Sequence, residues 1–502
     1  MFNIVHILKK TNKLFVFKEK IFLFFIILFY FLTRTIKLDN LPIFSDEAIY
    51  IHWAKVAWHD ASWRFISLTD GKQPLQTWGT IPFLKLFPYD LLTGGRLFSV
   101  ATGFFGLLGM ITLLHYLFGK KTALIGAILY VVTPYFVFYD RMALVDSGVN
   151  AFFIWILFFS IVLIRTVRLD VALMFGILSG VALLAKSSVR IFIGLSALAP
   201  LLIISRKDKQ TWTKTLNFFT LMGIVGIMSL VLYNVQRLSP FFHYVAEKNK
   251  TFIVTPEEFL HHPFALFVGN LKAVSLYTFW ESGFLLPLCA IGGLILLYKK
   301  DKRMAIYLFC WFFLSFIIIC SVSKVIFPRY LIFFAAIYTI LAAYFIAHIG
   351  KYTSILLGII IIISVFFSYP MIFDYTRISL PPIDRGQYVE GGTVGLGARE
   401  ILQYARERSK EKPVIIITEG FFGMAGDVLD IFTQPNDKIF IKSYWPFDHT
   451  SYEENKKELQ DHFVFVVLPY QSEYPQDGSV RLIRRYEKPG GKTAITFLEM
   501  IR

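Results

Sequence analysis

About eleven apolar segments between Ile21 and Pro370 decide most of what this chain can become. They fall at roughly 21–36, 97–117, 122–139, 146–164, 171–185, 189–204, 215–236, 274–297, 304–322, 328–347 and 353–370. A straight helix needs about 20 apolar residues to cross a bilayer. Several segments are shorter, so their ends are expected to be buried in protein. With 56% hydrophobic residues and 53 Phe in 502 positions, the chain reads as a polytopic α-helical membrane protein. Its three cysteines, Cys289, Cys310 and Cys320, all lie inside apolar segments. That argues against a disulfide framework, and their spacing points to no metal.

The net charge of +16 invites a nucleic-acid partner, but its distribution excludes one. Residues 371–502 hold 17 basic and 19 acidic side chains, so the whole excess belongs to residues 1–370. There the basic runs gather on one side of the spans. They are Lys9, Lys10, Lys13, Lys18 and Lys20; Lys120 and Lys121; Arg165 and Arg168; Arg206, Lys207, Lys209 and Lys214; and Lys299, Lys300, Lys302 and Arg303. The positive-inside rule makes that side cytoplasmic, with the N-terminus. An odd number of spans then puts the C-terminal region outside. The first span has no small-residue cleavage site and reads as a retained anchor.

Two domains follow: a membrane domain over 1–370 and a soluble, extracytoplasmic α/β domain over 371–502. Long outer loops are expected at about 37–96 and 238–273, the first with an interfacial helix over Ala48–His59. Within the second, Asn249-Lys250-Thr251 fits a glycosylation sequon. Beyond Pro370, buried strands are expected at Pro413–Thr418, Lys438–Lys442 and Phe463–Leu468, and helices at Leu396–Ser409 and Tyr452–His462. Strands alternating with helices make a small α/β unit. Gly391–Gly397 has neither the preceding strand nor the Gly-Lys-Ser/Thr ending of a phosphate loop, and reads as a flexible approach to a helix.

The unusual polar residues of the membrane domain all project to the outer side. They are Asp46-Glu47 after the first span, and Lys72-Gln73-Pro74 in the same outer loop. Next come Asp140-Arg141 with Asp146 between spans 3 and 4, and Lys186 with Arg190 between spans 5 and 6. Arg329-Tyr330 begins span 10. A charge at the bilayer centre costs about 2.5–3.5 kcal/mol even on lenient scales. Carboxylates beside several cations at a lipid boundary suit the handling of a phosphate-bearing lipid. The cations hold the phosphate, and a carboxylate takes a proton from a nucleophile. Each element also has a plainer reading. Asp46-Glu47 can begin a helix, Lys72 can snorkel, Arg141 can tie a loop, and Lys186 and Arg329 can anchor the interface. The histidines His52, His59, His243, His261 and His262 lack metal-ligand spacing, and no metal or other cofactor is expected.

Taken in order, Asp46-Glu47, Lys72-Gln73-Pro74-Leu75 with Trp78, Arg141…Leu144-Val145-Asp146, Leu184-Ala185-Lys186 and Arg329-Tyr330-Leu331 resemble the motifs of the GT-C glycosyltransferases. The match is best to the family-39 group, which includes protein O-mannosyltransferases and the lipid A aminoarabinose transferase. It covers about residues 20–370, and Tyr388–Gly392 resembles the soluble tail of some prokaryotic members. The resemblance implies an inverting membrane enzyme that moves a sugar from a polyprenyl-phosphate donor to a hydroxyl on the outer face, the acceptor being protein, lipid or glycan. It implies Asp46 as base, Asp146 as a second acidic site with Glu47 in support, and Lys72 on the carrier phosphate. Arg141, Lys186, Arg329 and Tyr330 would complete the substrate site. Two departures matter. The usual Lys-Pro-Pro is Lys72-Gln73-Pro74 here, and Gly71 stands where the aminoarabinose branch has a glutamate, so that branch's metal site and substrate are not expected. A transporter of lipid-linked sugars would also need membrane charges. Such proteins often show repeated halves and sites near the midplane, and neither is visible here.

Overall fold

The computed structural model describes residues 17–203, 209–420, 422–471 and 473–501. Of the basic runs, Lys9, Lys10, Lys13, Arg206 and Lys207 lie outside the described residues, and for Lys209 only the backbone is described.

Every expected apolar segment is helical. In chain order the α-helices of seven residues or more in the membrane part are α1 (Phe17–Thr35), α2 (Ser45–His59), α3 (Leu75–Leu86), α4 (Leu91–Phe118), α5 (Lys120–Val132), α6 (Asp146–Thr166), α7 (Leu169–Leu183) and α8 (Val189–Leu195). Then come α9 (Lys209–Tyr233), α10 (Tyr244–Phe252), α11 (Phe267–Glu281), α12 (Leu285–Lys300), α13 (Lys302–Val322), α14 (Ile332–His348) and α15 (Thr353–Phe373). By length and apolarity six helices among the described residues can each cross a membrane, or seven if α11 and α12 count as one. The other expected spans are present as shorter, broken or more charged helices.

One segment departs from the reading. The expected span 274–297 is two helices bent by 102°, parted at Ser282-Gly283-Phe284. Gly283 and Phe284 both take positive φ, 73° and 57°. Glycine adopts that readily and phenylalanine does not. The apolar run hid the break because periodicity registers composition and not backbone direction.

Burial sorts the helices into centre and rim. The spanning windows on α6 and α14 are 94% and 89% buried, whereas that on α9 is only 17% buried. Leu216, Ile227, Ile362 and Phe366 stand exposed on α9 and α15. Apolar faces turned outward around a packed centre are the arrangement a lipid environment requires.

The C-terminal part forms a five-stranded sheet in the order β2-β1-β3-β5-β4, with strands β1 (Val414–Glu419), β2 (Ile439–Tyr444), β3 (Phe463–Leu468), β4 (Val480–Glu487) and β5 (Ala494–Met500). β1 pairs in parallel with β2 and β3, while β5 runs antiparallel to both β3 and β4. Helices α16 (Ala398–Ser409), α17 (Gly426–Ile431) and α18 (His449–Lys456) complete it. All three expected strands are present. The β4–β5 hairpin was missed, because β4 is largely exposed and carries a register shift at Leu482/Arg484.

The sheet domain does not hang from the membrane part by a tether. One apolar cluster joins Ile43, Ala48, Ile51 and Ala54, in and just before α2, to Ile401, Val428 and Phe497 of the sheet domain. A short antiparallel bridge, Phe44 to Val394, fixes the register, with Ser45 N donating to Thr393 O (3.0 Å) and Gly395 N to Ile43 O (2.8 Å). A Cβ on Gly395 would stand 2.6 Å from Ile43 Cγ2, so only glycine lets the two backbones meet. The stretch read as a flexible approach is thus a paired segment.

Candidate active site

Adjacent residues on a helix point about 100° apart, and the first turn of α2 uses this. Glu47 turns inward and is fully buried. Its Oε1 accepts from Arg96 Nε (2.8 Å) and Ala143 N (2.7 Å), and its Oε2 from Arg96 Nη2 (2.8 Å) and Phe44 N (3.1 Å). With every oxygen engaged it faces no cavity. It locks the start of α2 to α4 and to the turn before α6. Its assignment among the catalytic residues is therefore corrected to a positioning one.

Asp46 turns the other way, into a cavity of about 440 Å3. Its Oδ2 accepts from Arg329 Nη2 at 2.8 Å, and its Oδ1 faces Lys72 Nζ at 3.4 Å. Burial alone would raise this carboxyl; Lys72 and Arg329 overcome it and hold the group at about 2. Lys72 also faces Asp70 (3.3 Å) and lies over the rings of Tyr50 and Trp53. Across the cavity Lys186 pairs with Asp146 (2.7 Å) and sits 3.9 Å from the centre of the Tyr330 ring. Asp146 opens α6, where the helix dipole favours a carboxylate.

Five cations line the cavity (Lys72, Lys186, Arg190, Lys248 and Arg329) against two carboxylates, Asp46 and Asp146. Arg329 is 6% exposed, and its Nη1 has no hydrogen-bond partner among the described residues. A buried guanidinium donor left unpaired is costly, which marks a place for an anion. Much of the remaining wall is apolar, including Val149, Phe192, Ile319 and Phe333. The site therefore joins an anion pocket to an oily groove.

Of the expected residues, Asp46, Lys72, Asp146, Lys186, Arg329 and Tyr330 line this one cavity. Arg141 does not. Its Nη1 donates to the carbonyls of Thr33, Arg34 and Ile36 (3.0, 3.1 and 2.9 Å) and its Nη2 to Lys37 O (2.8 Å). It caps the end of α1, whose last carbonyls lack helical partners, so its expected contact with substrate is corrected to a structural one. Asp140 is likewise structural, paired with Arg34 (3.3 Å) and Ser147 (2.6 Å) beneath the surface.

Sequence reasoning missed Tyr50, Gln73, Lys248 and Asn249, all lining the cavity. Tyr50 was findable, since it lies four residues from Asp46 on the same helix face. Asn249, noted as a sequon, donates to Ser187 Oγ (3.3 Å), as does Gln73 Nε2 (2.6 Å). Nothing local in the sequence joins those three. Among the described residues no group of three or more His, Cys, Asp or Glu is placed to hold a metal ion.

A polytopic helical body carrying a small sheet domain is a fold that recurs among solved structures. The chain superposes on ArnT from Cupriavidus metallidurans in the apo state with a TM-score of 0.61 at 14% identity, covering 95% of this chain and 97% of that one. The same protein bound to undecaprenyl phosphate gives 0.60 at the same identity and coverage. The Archaeoglobus fulgidus oligosaccharyltransferase in its apo form gives 0.53 at 11% identity, covering 90% of this chain and 70% of that one. In sequence, the dolichyl-phosphate-mannose-protein mannosyltransferase family profile matches residues 72–234. No curated protein matches significantly.

Proposed function

We propose that this protein is a membrane glycosyltransferase that takes a sugar from a polyprenyl-phosphate donor and passes it, with inversion, to an acceptor hydroxyl on the outer face. The observation that carries the reading is the unpaired Nη1 of Arg329 in a cavity where cations outnumber carboxylates and one wall is apolar. The fold shared with ArnT, one form of which holds undecaprenyl phosphate, supports the same donor chemistry.

In this reading the prenyl chain lies along the apolar wall, and Lys72, Arg329 and Lys186 neutralise the phosphate as it departs. Asp46 accepts the proton of the acceptor hydroxyl, whose oxygen attacks the anomeric carbon from the face opposite the phosphate. The C–O bond to the phosphate breaks as the new glycosidic bond forms, and the polyprenyl phosphate leaves with the electron pair. Asp146 sets the position of Lys186. Asp46 is clamped by the cations that serve the phosphate, so the donor must draw them away before the carboxylate can work as a base.

The test is transfer of radiolabel from a panel of polyprenyl-phosphate sugars to envelope extract by purified protein in nanodiscs. Wild type is expected to move label, and Asp46→Asn to lose it by about 100-fold or more. Retention of more than about a tenth of the activity removes Asp46 as the base.

A further inference from the structure

Each of the three parallel strands ends in an exposed aromatic. Phe422 lies three residues beyond β1, Trp445 directly follows β2, and Tyr470 lies two residues beyond β3; they are 46%, 63% and 50% exposed. The sheet order places β2 on one side of β1 and β3 on the other. The chain therefore reverses direction across the sheet here, and open α/β sheets take ligands in the crevice beyond the carboxyl ends at such a point. At its floor Glu419, 4% exposed, accepts from both the backbone N and the Nε2 of Gln471 (3.2 Å each).

This end of the sheet faces the cavity. The Phe422 ring lies 5.5 Å from that of Trp53, Trp53 lies 5.8 Å from Tyr50, and Lys72 sits 5.2 Å from the Tyr50 ring. A run of aromatic faces thus leads from the crevice to the ion pairs around Asp46. Single exposed apolar residues need no explanation, but an exposed ring beyond the end of each of three adjacent strands marks a binding surface. A sugar ring suits it chemically. Its C–H face packs on aromatic rings, and its hydroxyl rim can donate to the side-chain carbonyl oxygen of Gln471, the amide nitrogen of that side chain being held by Glu419 and by Phe447 O (3.0 Å). A polypeptide would be better served by an open strand edge, and the crevice is made of strand ends.

We propose that this crevice binds a glycan acceptor and directs one of its hydroxyls toward Asp46. The proposal rests on the transferase reading above and names the acceptor class.

The test uses the full-length protein in nanodiscs and three probes prepared from the envelope of the source cells. These are a protease-treated, delipidated polysaccharide fraction, a glycan-free protein fraction, and vesicles of the extracted lipids. Wild type and Asp46→Asn are expected to retain the polysaccharide equally, because binding does not need the base. Trp445→Ala and Tyr470→Ala are expected to bind it about tenfold more weakly, with unchanged thermal stability. Retention of the protein fraction or vesicles instead, retention of none, or equal binding by the Ala variants overturns the proposal. Loss of transfer with glycan binding intact would count against the transferase reading alone.

Discussion

Arg329 donates to Asp46 at 2.8 Å, so the cation best placed to bind an anion is tied to the carboxylate best placed to accept a proton. The two groups neutralise each other across one side of the cavity. Coulomb attraction at such range is strong where water is scarce, and only a competing anion of comparable charge displaces it. A phosphate brought in on a lipid is such an anion. The geometry thus favours an ordered reaction, donor first, with the base released as the donor seats.

That order has a pH signature. Asp46 sits at about 2 in the free protein, below its ordinary 3.8, because Lys72 and Arg329 outweigh burial. The depressed value stabilises the fold above about pH 4, and the contribution is lost as pH falls toward 2. For kcat/KM, which reports the free enzyme, no acid limb from Asp46 is expected between about pH 4 and 8. For kcat, an acid limb at higher pH is expected, since the phosphate has taken the cations. Coincident limbs in the two profiles would contradict the clamp.

Lys72→Ala should raise the KM for the lipid donor about tenfold or more while changing kcat less. Steady-state kinetics at saturating acceptor measures this. An unchanged KM would remove Lys72 from the phosphate site.

Glu47→Ala leaves Arg96 charged and buried without its carboxylate, held only by the carbonyls of Leu38, Leu41 and Pro42. Removing one partner of such a pair costs about 3–5 kcal/mol, so a sharply lower melting temperature in detergent is expected. Replacing both residues with apolar ones of similar size should recover part of it. If Glu47→Ala melts like wild type yet loses activity, Glu47 acts in the chemistry and not in the scaffold.

His52, on α2, bonds Asp430 (2.9 Å) on α17 and lies near Asp427, with Lys55 completing the cluster at 2.8 Å from Asp430. Burial would lower its pKa, but the bond to Asp430 and the two carboxylate charges raise it above the ordinary 6.5. The stabilisation is therefore full below about pH 6.5 and lost as pH rises through the elevated value. Thermal melts should show the sheet domain loosening from α2 on the alkaline side, and His52→Gln should flatten that dependence. Identical pH profiles for the two proteins would show that the cluster does not secure the interface.

What the sequence disclosed, and what it withheld, follows physical lines. Asp46, Lys72, Asp146, Lys186 and Arg329 were legible because a charge beside an apolar span is expensive and stands out against its surroundings. Glu47 and Arg141 carried the same signal for a different reason, since charges that cap helices and bind carbonyls are equally conspicuous in one dimension. Whether a charge faces a cavity or a neighbouring backbone depends on which side of a turn it occupies. The bend at Gly283 and the Gly395–Ile43 contact were invisible because they express backbone direction and close approach, which hydrophobic patterning does not encode.

The apolar cluster shared by α2 and the sheet domain has a consequence for how the protein is made. A ribosome delivers α2 among the first sixty residues, with Leu84, Leu91 and Ala143 of the membrane domain following soon after, but the sheet-domain side of its packing arrives only with about the last hundred. Through most of synthesis the helix that carries Asp46 is held from the membrane side alone, and the finished chain adds the second wall. Premature termination would therefore leave a membrane domain in which Glu47 still ties α2 to Arg96 and Ala143 while the side of the helix that meets the sheet lies bare, so that the full seating of Asp46 is conferred by the final stretch of translation.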